Sequence, residues 1–123
     1  RGWVGAAYGG RAEAIVGNLR ERMDAAADEA MAERGSSFDP VPEGHSNRRT
    51  LLEVELTELR TLILDAKVSD EDHDRDLRLR ASLSVAIGAA RSLALASPSQ
   101  PTIAYLKVTK AAIDDVLIAS DQQ

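Results

Sequence analysis

The chain has no cysteine, which excludes disulfides and thiolate metal sites. That absence fits a reducing compartment, and a cytoplasmic location is the expectation. Aromatics are scarce: one Trp, two Tyr and one Phe in 123 residues, although strands favour aromatic and β-branched side chains. No apolar run is long enough to span a bilayer. Ala81 to Ala90 is bounded by Arg80 and Arg91, and the next run is broken by Pro98 and Pro101. The opening RGWVGAAYGG is too short and too rich in glycine for a signal-peptide core, and it lacks an initiator Met, which fits trimming or excision from something longer. Basic charge is in deficit as well. A net charge of −5 argues against a surface built for nucleic-acid phosphates. The GxSxG elbow, the GK[ST] phosphate loop and HExxH are all missing. No catalytic residue, metal ligand, cofactor-binding residue or cofactor is therefore assigned.

What remains is helix. Hydrophobic residues make up 44% of the chain and charged residues 28%, a globular balance. Much of the apolar share is alanine, which loses no side-chain entropy in a helix. Residues 1–10 carry Gly2, Gly5, Gly9 and Gly10 and read as a flexible arm bearing Trp3 and Tyr8. Residues 11–123 read as one domain. A first helix is expected over about 11–34, with the stripe Ala12, Val16, Leu19, Met23, Ala26 and Ala30 on one face. The loop GSSFDPVPEGHSNRR follows. A second helix is expected over about 50–68, where Thr50 and Glu53 have capping-box spacing and Asn47 is a rival cap. Its stripe is Leu52, Leu56, Leu59, Ile63 and Ala66. A third, over about 70–96, is capped by Ser69 and carries Leu79, Leu83, Ala86, Ala90 and Leu93. A fourth, over about 101–120, carries Leu106, Thr109, Ile113 and Val116. Short second and third connections suggest antiparallel neighbours. The expected fold is all-α, a four-helix up-and-down bundle.

The run DEDHDRD, Asp70 to Asp76, holds hard oxygen ligands beside His73. An EF-hand loop needs Gly sixth and Glu twelfth, where this chain has Arg75 and Ala81. Instead Glu71 and Arg75, Asp74 and Arg78, and Asp76 and Arg80 are each four apart, with the acid N-terminal. That is the favourable order for pairing on an exposed helix. A second pattern crosses two helices. Glu55 and Glu58 are three apart, as are Glu71 and Asp74. The four resemble the ExxE…ExxD signature of the MazG-like nucleotide pyrophosphohydrolases, all-α enzymes whose carboxylates hold Mg²⁺ against a nucleoside triphosphate. The resemblance implies a Mg²⁺-dependent hydrolase as the alternative function. Surface pairing of Glu71 and Asp74 with arginines implies the opposite: no tight divalent-metal binding and no hydrolysis.

Arginines gather in the first part of the chain: Arg1, Arg11, Arg20 and Arg22, then Arg48 and Arg49. They support a third reading, a nucleic-acid-associated oligomer, with only Trp3 and Tyr8 nearby to stack on bases. Three of the four aromatics, Trp3, Tyr8 and Phe38, fall outside the expected helices. They either plug an end of the bundle or anchor a partner. The leading expectation is a non-enzymatic interaction or assembly module, a structural adaptor. It self-associates or docks a protein partner, with no membrane involved. Its expected partner-binding residues are Trp3, Tyr8, Met23, Ala26, Ala30 and Phe38. The alanine-rich second half of helix one supplies the seam of a homo-oligomer, and the arm covers it.

Overall fold

A computed structural model describes residues 2–35, 47–96 and 102–121. The described residues are all-α, without a strand. They form α1 (Trp3–Tyr8), α2 (Gly10–Gly35), α3 (Asn47–Asp65), a 3₁₀ turn (Asp70–Asp72), α4 (His73–Leu95) and α5 (Thr102–Asp121). Four helices are long, and they pack in a ring: α2 on α3, α3 on α4, α4 on α5, and α5 back on α2. Cross-links between neighbours fix the direction. Arg11, Arg22 and Glu29 of α2 meet Glu58, Glu55 and Arg49 of α3, so partner numbers fall as those of α2 rise. Arg80 and Arg91 of α4 meet Ile63 and Glu53 of α3 in the same inverted order. The neighbours are antiparallel.

The core is built from the periodic stripes. Leu52, Leu56, Leu59 and Ile63 of α3 are buried against Leu79, Leu83 and Leu93 of α4 and Ile113 and Val116 of α5. Each such side chain contributes about 1.5–3 kcal/mol by leaving water. α2 adds Ala12, Ile15, Leu19, Met23, Ala26 and Ala30. Its inner register runs through Ile15, whereas the sequence pattern placed Val16 there; Val16 is only half-buried. Both are β-branched and adjacent, so steps of three-then-four and four-then-three read alike. α3 begins at Asn47, three residues before the expected Thr50, and Thr50 lies inside the helix. Phe38, in the loop before α3, lies outside the described residues.

The flexible arm is not what forms at the N-terminus. Trp3–Tyr8 is a helix, and Trp3, Val4 and Tyr8 join the core. Six residues cannot hold a helix alone in water, so tertiary packing holds this one. Gly9 makes the turn possible. Its φ of 100° and ψ of 172° lie in a region open essentially to glycine alone. The turn breaks the chain between α1 and α2 and lets α1 fold back.

Candidate interaction surface

Trp3, Tyr8, Met23, Ala26 and Ala30, the expected partner contacts, are all buried within the chain's own bundle. The burial has a physical cause. A helix of small side chains lets its neighbours come close, and α3 and α5 already occupy that space against α2. Trp3 and Tyr8 stack edge-to-face with ring centres 5.6 Å apart, and Arg75 lies over the indole at 5.9 Å. The Tyr8 hydroxyl donates to Asp76 Oδ1 at 2.6 Å, and Arg80 Nε donates to Asp76 Oδ2 at 2.7 Å. Arg80 also reaches the Ile63 carbonyl at 3.4 Å. Burial first, and then the hydrogen bond to Asp76, push the Tyr8 phenol far above its ordinary range, so it stays a neutral donor. Trp3 Nε1 is buried with no hydrogen-bond partner. This cluster ties α1 to α4, with Trp3, Tyr8 and Asp76 buried and only the arginines reaching solvent. Sequence reasoning placed Asp76 on a solvated face with Arg80. The Arg80 pair forms, but Asp76 is buried because a buried tyrosine hydroxyl 68 positions earlier needs an acceptor.

The acidic start of α4 differs from expectation in two other contacts. Arg75 turns to Asp72 at 3.3 Å and to the Trp3 ring rather than to Glu71. Ser69 makes no side-chain cap, its hydroxyl instead donating to Asp72 Oδ2 at 3.4 Å. The four carboxylates of the hydrolase pattern are held apart. Glu55 is buried and accepts from Arg22 Nε at 3.1 Å. Glu58 takes both arms of Arg11, at 2.7 and 2.8 Å, and this pairing holds its carboxyl below the ordinary range. Glu71 is exposed on the 3₁₀ turn and Asp74 on α4. Among the described residues, no group of three or more acids or histidines is arranged to hold a metal ion.

Three of the six arginines named as a basic bias, Arg11, Arg22 and Arg49, have structural employment. Arg11 and Arg22 cross-link α2 to α3. Arg49 is buried, pairs with Glu29 at 3.1 Å and donates to the carbonyls of Leu93 and Ala96 at the end of α4. It adds a charged donor to the carbonyls at a helix C-terminus, where Leu93 O also accepts from the Ala96 N–H. A shallow groove of about 140 Å³ between α2 and α5 is rimmed by Arg20, Asp24, Lys110 and Asp114 around Met23, Ile113 and Leu117. Two acids and two bases leave it without a net sign.

Large apolar side chains are exposed on α3 (Leu51, Val54, Leu64) and α5 (Ile103, Val108, Ile118), and on α4 they accompany a long uncharged stretch. Leu77, Val85 and Leu95 are 51%, 61% and 79% exposed. Ala81, Ser84, Gly88 and Ser92 lie exposed between and beside them. From Ala81 to Ala90 the helix carries no charge at all. Two exposed apolar residues on the neighbouring helices adjoin positions that contact α4. Val108 of α5 is exposed next to Thr109, whose hydroxyl donates to the Ala89 carbonyl at 3.3 Å. Leu64 of α3 is exposed next to Ile63, the acceptor of Arg80. Sequence reasoning noted the uncharged run only as too short for a membrane. The missed signal was that this run is helical and carries apolar residues off the core stripe as well as on it. No helix among the described residues is long and apolar enough to cross a membrane. A scan against family models and searches of curated proteins and solved structures find no match to this chain.

Proposed function

We propose that this chain is a non-enzymatic interaction module that docks a protein through the outward face of α4. The observation that carries the reading is the exposure of Leu77, Val85 and Leu95 on that face together with the absence of charge from Ala81 to Ala90. A helix on the surface of a bundle normally shows solvent a charged face, and one that is apolar all round is normally covered. Contiguous exposed apolar surface of this kind marks interaction sites. The ion pairs elsewhere lock helices to one another, and the buried Tyr8–Asp76–Arg80 cluster closes the N-terminal end. Neither presents a reacting group to a substrate. A photo-crosslinking side chain at Val85, in cells that make the protein, tests the reading. Covalent adducts are expected from Val85 and not from a control at Glu21, an exposed position on α2. Equal yields at the two positions would remove the reading.

A further inference from the structure

We infer that α1 is a hinged strap: in a minor open form Gly9 straightens, Trp3–Gly35 becomes one continuous helix, and the four long helices stay folded. The buried residues of α1 and α2 already share the phase of a single helix. Val4, Tyr8, Ala12, Ile15, Leu19 and Met23 are all buried, and they recur at steps of four and three straight through Gly9. A segment that only folded back would not need that phase. The hydrogen bonds of the two helices also meet at one residue. The Gly9 N–H donates to the Gly5 carbonyl at 3.0 Å, and the Gly9 carbonyl accepts from the Glu13 N–H at 3.2 Å. The torsions of Gly9, φ 100° and ψ 172°, are what interrupts the helical ladder. A helix beginning at Gly10 leaves its first N–H groups without helical acceptors. Straightening Gly9 turns the carbonyls of Ala6, Ala7 and Tyr8 toward them.

Release of α1 orphans no charge. Asp76 loses the Tyr8 hydroxyl but keeps Arg80 at 2.7 Å on its own helix, and Arg75 keeps Asp72 at 3.3 Å. Opening also repairs a defect of the closed form: Trp3 Nε1 is buried without a hydrogen-bond partner, and water supplies one. Burial of Trp3, Val4 and Tyr8 holds the closed form in the majority. The strap therefore opens as a unit, at a lower free energy than the bundle itself. The open form uncovers the seat beside Asp76 and Arg75 and carries Val4 and Tyr8 at the end of a long helix. The closed strap withholds both surfaces.

Distances between two spin labels on the full chain read the hinge. The chain has no cysteine, so Ala6→Cys and Asp28→Cys, both at exposed positions, place the labels cleanly. On one continuous helix the two positions stand about 33 Å apart, and the folded-back form holds them closer. The wild type is expected to show a minor population near about 33 Å that grows in urea before the far-ultraviolet helical signal falls. Gly9→Ala should enlarge that population at least about fivefold. A Cβ at Gly9 meets nothing within 4 Å, so the backbone torsion alone opposes it in the closed form. Tyr8→Phe leaves the hinge intact and removes the bond to Asp76, and it should enlarge the population about tenfold. The helical signal should hold or rise in both variants. A short distance that persists until the helices melt, in the wild type and both variants, overturns the inference. So does a broad, long distribution with lost helical signal, because the released segment would then be a frayed arm and not an extension of α2.

Discussion

Tyr8 and Asp76 show how one hydrogen bond ties two distant parts of a chain together. The phenol donates to a buried carboxylate that Arg80 also holds, and hydrogen bonds to charged groups are worth about 1.5–3 kcal/mol. Tyr8→Phe should cost about that much, measured by urea unfolding at neutral pH. The pH dependence has a definite sign. A tyrosine titrates near 10 in the unfolded chain, and burial raises the Tyr8 value in the folded one. The stability it contributes is therefore complete below about pH 10 and is lost as the pH climbs toward the raised value. Urea midpoints taken from pH 8 to about 11 should fall more steeply for the wild type than for Tyr8→Phe. Parallel curves would show that Tyr8 is not the group responsible.

At the scale of elements, the inward and outward faces of one helix should answer differently to the same change. Leu59→Ala on α3, where the side chain is fully buried, should cost roughly 2–5 kcal/mol. Val54→Ala on the same helix, at 53% exposure, should stay within about 0.5 kcal/mol. Chemical denaturation of the two variants side by side decides it. The junction between α1 and α2 gives a third case: Gly9→Ala forces a side chain into backbone space that costs about 1–3 kcal/mol. A matching drop in midpoint is expected, whereas Gly2→Ala, at an ordinary extended φ of −70°, should be neutral.

These elements also mark where sequence reasoning worked. The stripes of α3 and α4 were legible because Leu and Ile recur at helical spacing between charges, and every expected position from Leu79 to Leu93 is buried. The start of α3 was not legible. Arg48 and Arg49 look like loop residues, and what draws Arg49 inward is the carbonyl end of a helix 44 positions away. α1 was lost for a similar reason. Its glycines argue locally for an arm, and only distant packing from Asp76 and Arg75 makes it a helix. The α4 face lay open in the letters, but charge absent from an exposed face has no meaning until the inside of the helix is known.

On the scale of the whole molecule, stability and association should separate. Trp3 is a core residue of one chain, so Trp3→Ala should cost roughly 3–5 kcal/mol. Where the variant remains folded, its crosslinking from Val85 should match that of the wild type. A loss of crosslinks beyond that due to unfolding would return the N-terminal segment to the contact.

The tie between Tyr8 and Asp76 spans 68 positions, and that span has a consequence for the order of assembly. Trp3 and Tyr8 leave the ribosome well ahead of Asp76, the acceptor, and of Arg75, the arginine above the indole. Until then two large rings have no home, the condition under which nascent chains are captured or aggregate. In refolding, local helix formation is complete within about a microsecond, whereas docking of the first segment must await a distant one. The single Trp reports that docking directly. Stopped-flow emission from Trp3 should trail the far-ultraviolet helical signal, and Gly9→Ala should lengthen the lag. A segment made before its partners is thus the last to find its place.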